Sequence, residues 1–317
     1  MVYDRSYGDH LRDLGQPDCP ERAEVVALRL GDRFGDAVFL GARDASDEEL
    51  LGAHAPAYLE LVKRECARLA GPRYLSTGDV VIDQASYAVA RRAAGGAIAA
   101  VENAVATGKP TFALVRPPGH HAEAKAGMGF CLFNNAAVAA RSYLRAHGGR
   151  VLVVDFDYHH GNGTQDVAGN GLSYVSTHAH PAYPGTGARS FHLGDGDEIV
   201  NVPLPVSGIS TEAFVATWEQ VLPAVGRRVR PTMLVISAGF DYVKGDPVGD
   251  LGVDVDAAAH LAAVINATAA AHDAGVAYVL EGGYDIDALT ESIAQIVDAT
   301  DAGRVDASGA DGRSSLA

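Results

Sequence analysis

Five short apolar runs separated by alanine-rich stretches constrain the fold of this chain more than any other feature. The runs cover residues 111–115, 150–154, 172–176, 233–237 and 276–280, and they are too continuously apolar for half-exposed strands. The stretches at residues 87–106, 135–146, 211–229 and 257–274 have the composition of helices. Strands that alternate with helices predict an α/β fold, with a mostly parallel β-sheet and helices on both faces.

The ends of several helices are marked in the sequence. Ser46 and Glu49 have the spacing of a capping box, and residues 58–69 have the pattern of another helix. Three glycines follow helical stretches and are expected to cap their C-termini: Gly108, Gly148 and Gly275.

The chain has 317 residues, and we find no linker-like stretch in its interior, so we predict one domain at residues 1–301. Residues 302–317 are rich in Gly, Ala, Ser and Asp and are expected to form a frayed or disordered tail. No apolar run approaches the roughly 20 residues of a membrane span, and the polar N-terminus does not resemble a signal peptide. We therefore expect a cytoplasmic protein that does not bind membranes.

Charge and cysteine content narrow the classes of function. The formal net charge is −15 and the sequence pI is about 5.1, which disfavours a nucleic-acid surface and mildly favours cationic substrates, although solubility alone would explain it. Cys19, Cys66 and Cys131 are odd in number and widely separated, so they suggest neither a disulfide framework nor a cysteine-based zinc site.

The polar clusters of the chain fall where the predicted strands end. They cover residues 116–121, 155–162, 177–187, 238–245 and 281–285. Parallel sheets carry their chemistry beyond the C-terminal ends of the strands, so we expect these five loops to converge on one rim.

The densest cluster follows the strand at residues 150–154. If the chain stays extended, Asp155, Asp157 and His159 share a face, and Asp157 with His159 offers the oxygen and nitrogen ligands that zinc accepts. Asp241, after another strand, supplies a third ligand and leaves a coordination position open for water, as in catalytic zinc sites. The alternative is that these acids cap helices or pair with surface cations.

Two further loops carry groups suited to acid–base and oxyanion chemistry. His120 and His121 follow a rigid Pro-Pro-Gly turn and can divide proton transfer between them, with Asp155 and Asn162 as candidate orienting partners. Tyr284 follows two glycines at a strand end and can donate a hydrogen bond to a developing oxyanion. Satisfied core histidines and a packed tyrosine in a turn are the alternatives.

These motifs together resemble the histone deacetylase superfamily, which includes acetylpolyamine amidohydrolases. The matching segments cover residues 116–121, 129–135, 155–165, 183–187, 238–247 and 281–284, in the family order. Asn162, within His-His-Gly-Asn-Gly-Thr-Gln, resembles the class II and bacterial branches rather than the members with Asp at this position.

The resemblance implies an arginase-deacetylase fold in which one zinc ion is bound by Asp157, His159 and Asp241. His121 then acts as general base and acid, while His120 tunes the site electrostatically. Asp155 is implied to hold His120, Asn162 to stand beside His121, and Tyr284 to polarise the scissile carbonyl of an acetylated amine.

The resemblance also implies the residues that contact substrate. Gly129, Phe130 and Tyr183 match the lining of a narrow tunnel, and Asp79 matches a rim aspartate that holds substrate amides. Gly282, in the Glu-Gly-Gly-Tyr motif that ends the last strand, is a further candidate for substrate binding.

The resemblance also bears on three further positions. Arg22 resembles an arginine near an internal acetate channel, although Cys19 and Ala23 depart from the usual motif around it. A structural monovalent cation, usually potassium, is implied near residues 155–159, with Ser176 as an oxygen donor. Val248 stands where polyamine-preferring relatives carry an acidic gatekeeper.

The resulting interpretation is a zinc-dependent hydrolase of linear amide C–N bonds that acts on acetyl-lysine or acetylpolyamines. An arginase-like ureohydrolase with two manganese ions and a non-catalytic acyl-group binding protein are the alternatives. A homo-oligomer and Fe(II) in place of zinc stay open.

Overall fold

The computed structural model describes residues 1–35 and 39–309. A nine-stranded sheet forms the centre of the molecule. Its strands are β1 (Val2–Tyr3), β2 (Leu40–Gly41), β5 (Thr111–Ala113), β6 (Val151–Asp155), β7 (Leu172–Ala179), β8 (Phe191–His192), β9 (Glu198–Leu204), β10 (Met233–Ala238) and β11 (Gly275–Leu280). Their order in the sheet is β2-β1-β5-β11-β10-β6-β7-β9-β8, and all neighbouring strands are parallel except β8 and β9, which are antiparallel. A separate antiparallel hairpin contains β3 (Arg73–Tyr74) and β4 (Val81–Ile82).

The described helices form two packed groups that cover the sheet. They are α1 (Glu21–Phe34), α2 (Asp47–Leu50), α3 (Pro56–Cys66), α4 (Ser86–Thr107), α5 (Asn135–His147), α6 (Asn162–Asp166), α7 (Thr211–Val229), α8 (Ala257–His272) and α9 (Ile286–Gly309). Helices α4 and α5 pack on each other and on the central strands, while α1, α7, α8 and α9 form the second group. The predicted α/β class, with a mostly parallel sheet and one domain, is confirmed. None of the described helices has the length and hydropathy needed to cross a bilayer.

The local predictions hold at most helix ends, with one correction. The Ser46–Glu49 capping box is present, and Gly108 and Gly148 follow α4 and α5 with φ of 61° and 69°. Gly275 does not cap α8, because Asp273 adopts the left-handed conformation there, at a φ of 52°, and Gly275 begins β11. A Cβ at Gly275 would lie 2.8 Å from the Met233 sulfur, so close packing explains this glycine.

The boundary between domain and tail stays a prediction. Helix α9 continues across the proposed boundary at residue 301 as far as Gly309. The rest of the predicted tail, residues 310–317, lies outside the described residues.

Candidate active site

The central strands carry the predicted polar clusters to one edge of the sheet. Asp155 at the end of β6 pairs with Ser237 of β10 on one side and with Ser176 of β7 on the other. Ala238 at the end of β10 pairs with Leu280 of β11. Because these strands are parallel, the loops that follow them leave the sheet on the same side. The side chains at the strand ends therefore meet in one buried region.

Asp157, His159 and Asp241 form a compact group that we call the metal cluster. One ligand atom from each lies within 4.8 Å of the others. His159 Nδ1 is 3.2 Å from Asp157 Oδ1 and 2.9 Å from Asp241 Oδ2, yet that buried Asp241 oxygen has no hydrogen-bond partner. One histidine nitrogen and two carboxylates, one of which has an unsatisfied oxygen, form the donor set expected around a divalent cation.

Backbone groups fix the two carboxylates of the metal cluster, and Asp241 Oδ1 accepts from the Tyr158 backbone N–H at 2.9 Å. Asp157 accepts hydrogen bonds from the backbone N–H groups of His159 at 2.8 Å and Gly282 at 2.8 Å. A Cβ at Gly239 or Gly282 would lie 2.0 Å or 2.6 Å from Asp157 Oδ2. Only glycine lets the chain approach this closely, so the two glycines pack the backbone against the ligands.

The chain does not stay extended beyond β6, yet Asp157 and His159 still converge. The strand ends at Asp155, and the following residues turn. Asp155 accepts from the backbone N–H of Asp157 at 3.2 Å, and Asp157 accepts from that of His159 in the same manner. Short side-chain-to-backbone bonds of this type stabilise turns, and here they orient Asp157 and His159 without strand geometry.

Excess negative charge characterises the metal cluster. Burial tends to raise the pKa of Asp157, but the charges of His120 and His159 hold that pKa well below its usual value. Burial and the neighbouring charge of Asp157 raise the pKa of Asp241 to about 6. Two carboxylates this close compete for the available positive charge, and a bound divalent cation would relieve that competition.

The tandem histidines, His120 and His121, have opposite electrostatic environments. His120 Nδ1 is 3.1 Å from Asp155 Oδ2; burial would lower the pKa of His120, but Asp157 and Asp155 raise it to about 10. The pKa of His121 is lowered well below its usual value by burial and by the neighbouring histidine charges. The two environments therefore favour the charged form of His120 and the neutral form of His121, and a neutral imidazole is the form that can accept a proton.

The tautomer of His121 follows from its partner. Asn162 donates through Nδ2 to Glu123 Oε1 at 2.8 Å, so its Oδ1 is the acceptor that faces His121 Nδ1 at 2.8 Å. His121 Nδ1 must then carry the proton, and Nε2 is left free to accept one.

Tyr284 lines the same cavity as His121 and His159. Its ring lies 4.6 Å from the Arg22 guanidinium and 5.8 Å from the Phe130 ring. Burial raises the pKa of Tyr284 well above its ordinary value, so the phenol stays protonated and can donate a hydrogen bond.

The cavity has a volume of about 550 Å³ and opens between loops from both ends of the chain. Its lining residues are Gln16, Tyr74, Asp79, Val81, His121, Gly129, Phe130, His159, Tyr183, Val248 and Tyr284. Tyr183 packs edge-on against His121 at 5.1 Å between ring centroids. Asp79 accepts from Gly129 N and from the Tyr183 hydroxyl, both at 2.9 Å, so its carboxylate joins two walls of the cavity.

The structure places the remaining predicted residues near the site but does not test their roles. Gly282 lies against the metal cluster, and its contact with substrate stays a prediction. Arg22 is buried and binds Asp18 at 2.6 Å and the Gly283 carbonyl at 2.7 Å. Ser176 is buried with its hydroxyl 2.9 Å from His178 Nδ1, and its role at a potassium site also stays a prediction.

The structure adds two carboxylates to which sequence reasoning gave no role. Glu281 accepts from the backbone N–H groups of Gly119 at 2.6 Å and His120 at 3.0 Å and so holds the turn of the tandem histidines. Burial raises the pKa of Glu281 to about 7. Asp246 accepts from the Tyr284 backbone at 2.7 Å. Both residues lie inside recognised motifs, but only the folded chain identifies their partners.

The site and fold together define an α/β protein with a candidate single-metal centre, and comparison with known proteins identifies its family. The sequence profile of the histone deacetylase domain matches residues 16–300. Histone deacetylase HDA1 of Saccharomyces cerevisiae is 36% identical over 279 residues, which are 82% of this chain and 39% of the yeast protein. Polyamine deacetylase HDAC10 of Homo sapiens is 35% identical over 306 residues, covering 89% of this chain and 44% of the human protein. The chain therefore belongs to the histone deacetylase family.

A solved structure supports the same assignment. The crystal structure of the HDA15 HD domain superposes with a TM-score of 0.85 at 30% sequence identity, covering 94% of this chain and 87% of that domain. This chain spans less than half the length of the yeast and human relatives.

Proposed function

We propose that this protein is a zinc-dependent amidohydrolase that removes acetyl groups from N-acetylated amines. The observation that carries the proposal is one cavity lined together by His121, Tyr284 and His159, the last of which belongs to the metal cluster. The family membership supports deacetylation as the reaction.

Each residue of the site has a distinct task in this mechanism. A zinc ion held by Asp157, His159 and Asp241 would supply a Lewis acid that polarises the acetyl carbonyl and lowers the pKa of a water. His121 Nε2 accepts a proton from the attacking water and delivers it to the departing amine nitrogen. Tyr284 donates to the carbonyl oxygen as that atom gains charge.

Charge near the reacting atoms is balanced by the buried partners. His120 lies 3.1 Å from Asp155 and 3.7 Å from Asp157, and these two carboxylates favour its charged form. The amide C–N bond breaks as a C–O bond forms, and the products are acetate and a free amine. The aromatic rings of Phe130 and Tyr183 line the approach, which suits an extended alkyl arm.

Acetyl-lysine and acetylated polyamines both present such an arm, and we propose them as the substrate classes. The relatives of this chain include both a histone deacetylase and a polyamine deacetylase. An arginase-like two-metal site needs additional carboxylates, whereas residues 1–35 and 39–309 contain one group with the geometry of a metal site.

The test combines metal removal with a substrate panel. Activity on a fluorogenic acetyl-lysine should disappear after chelation or with a hydroxamate, and added zinc should restore it at one ion per chain. Specificity constants for acetyl-lysine peptides and acetylpolyamines then identify the preferred arm. Activity that survives prolonged chelation contradicts the metal mechanism, and two ions per chain would favour the ureohydrolase alternative.

A further inference from the structure

Four backbone N–H groups from two separate segments converge on the carboxylate of Asp246. Oδ1 accepts from Val248 at 2.9 Å and Gly249 at 3.1 Å, within its own loop. Oδ2 accepts from Tyr284 at 2.7 Å and Asp285 at 3.2 Å, beyond β11. Asp246 is 7% exposed, so these bonds are formed largely away from water.

The loop that contains Asp246 is itself tied to the metal cluster. It begins after Asp241, and the Asp250 backbone N–H returns to the Asp241 carbonyl at 2.8 Å. A Cβ at Gly249 would lie 2.0 Å from that same carbonyl oxygen, so the loop packs tightly against the Asp241 backbone. One carboxylate therefore connects the segment of a metal ligand to the segment of Tyr284.

We propose that Asp246 is a positioning residue that sets the distance between the Tyr284 hydroxyl and the metal cluster. The inference rests on the proposed function, because it assigns Asp246 an effect only through the oxyanion donor. Gly283, with a φ of 111°, gives the backbone before Tyr284 a conformation that side chains rarely adopt. A segment with that freedom needs an external anchor, and charge-assisted bonds to a buried carboxylate supply one.

The consequence can be measured with conservative variants. Asp246→Asn keeps the size of the side chain, but its NH2 group must face one of the two pairs of N–H donors. Because small misplacements of catalytic groups cost up to about 10²-fold, we expect kcat to fall about tenfold, with KM and bound metal little changed.

A double-mutant cycle with Tyr284→Phe separates positioning from general stability. If Asp246 acts through the Tyr284 hydroxyl, Asp246→Asn should lower kcat less than about twofold once that hydroxyl is absent. Asp250→Asn is the matched control: Asp250 lies in the same loop and accepts from Gly245 N and Gly252 N, but it does not contact Tyr284. Its effect should be equal in both backgrounds.

The affinity of a hydroxamate inhibitor provides a readout that does not need turnover and should show the same non-additivity. If Asp246→Asn fails to fold in a thermal melt, Asp246→Glu retains the charge with a longer reach and enters the same cycle. Equal losses in both backgrounds overturn the positioning role while leaving deacetylation intact. A wild-type protein inactive on every acetylated amine overturns the proposed function, and this inference with it.

Discussion

The inner end of the cavity and its mouth are built in opposite ways. At the inner end, Asp157 and Asp241 are 1% and 0% exposed and are fixed by backbone groups at the ends of parallel strands. At the mouth, Tyr74 is 66% exposed on the small β3–β4 hairpin, and Tyr183 is 40% exposed. Water replaces lost partners and screens charges at the mouth but not at the inner end. We therefore expect substitutions inside to change the chemistry and substitutions outside to change affinity modestly.

The largest expected effect tests the inner end. Asp157→Ala, His159→Ala and Asp241→Ala should each reduce bound metal well below one equivalent. Loss of a single oxyanion donor costs about 10²–10³ in rate, so loss of the metal should reduce kcat by more than about 10³-fold. Metal analysis and turnover on a fluorogenic acetyl-lysine measure both effects. Asp166→Ala, at an exposed acid near the site, serves as the control, and full metal occupancy in any cluster variant would remove that residue from the ligand set.

The next effect concerns Tyr284, at the boundary between the two regions. Tyr284→Phe removes one hydroxyl and leaves the contacts of the ring with Arg22 and Phe130. We expect kcat to fall about 10²–10³-fold, which corresponds to about 3–4 kcal/mol of transition-state stabilisation, at unchanged metal content. Near wild-type turnover on every substrate that the protein cleaves would show that the metal polarises the carbonyl without this donor.

The same contrast explains what the sequence could predict. Continuous apolar runs identified the central strands, and the polar residues at their ends identified the inner site, because parallel topology brings strand ends together. Strands β1 and β2, at one side of the sheet, have two residues each and carry no periodic signal, so they were not predicted. Strand β9 was also missed, because Glu198, Asn201 and Pro203 interrupt its apolar residues and leave no continuous apolar run.

Contacts that bridge distant loops were beyond the reach of local patterns. Asp79 meets Tyr183 across 104 positions, and Asp246 meets Tyr284 across 38. Neither pair has a spacing rule that a single sequence reveals. The resemblance to a family named Asp79 and Tyr183 as residues near substrate, but the hydrogen bond between them required the folded chain.

A smaller effect is expected at His54, which holds the segment between Glu123 and Asn134. His54 Nε2 accepts from Asn134 N at 2.9 Å, so Nδ1 carries the proton that it donates to the Glu123 carbonyl at 3.0 Å. Burial lowers the pKa of His54 to about 4. Because the folded pKa lies below the unfolded value of about 6.5, His54 stabilises the fold above pH 6.5, and this contribution is lost as the pH falls towards 4.

His54→Gln tests this pH dependence, because a glutamine amide can keep both hydrogen bonds without titrating. Between pH 8 and pH 5, the wild type should lose about 2 kcal/mol more free energy of unfolding than the variant. Denaturant unfolding at both pH values measures the difference, and other buried histidines contribute equally to the two proteins. Parallel curves would show that His54 does not titrate over this range.

The smallest expected effect lies at the mouth. Tyr183→Phe removes the hydrogen bond from the Tyr183 hydroxyl to Asp79 but keeps the edge-on contact of the ring with His121. Since a partly exposed hydrogen bond contributes about 1 kcal/mol and water can replace the partner, KM should rise less than about fivefold. We expect kcat to stay within about twofold of the wild type, because the inner end is untouched. Steady-state kinetics on the preferred substrate, with Asp79→Asn as the matched change on the other side of the bond, separate the two constants. A loss of kcat comparable to that of Tyr284→Phe would mean that the mouth also positions reacting groups, and the contrast between the two regions would fail.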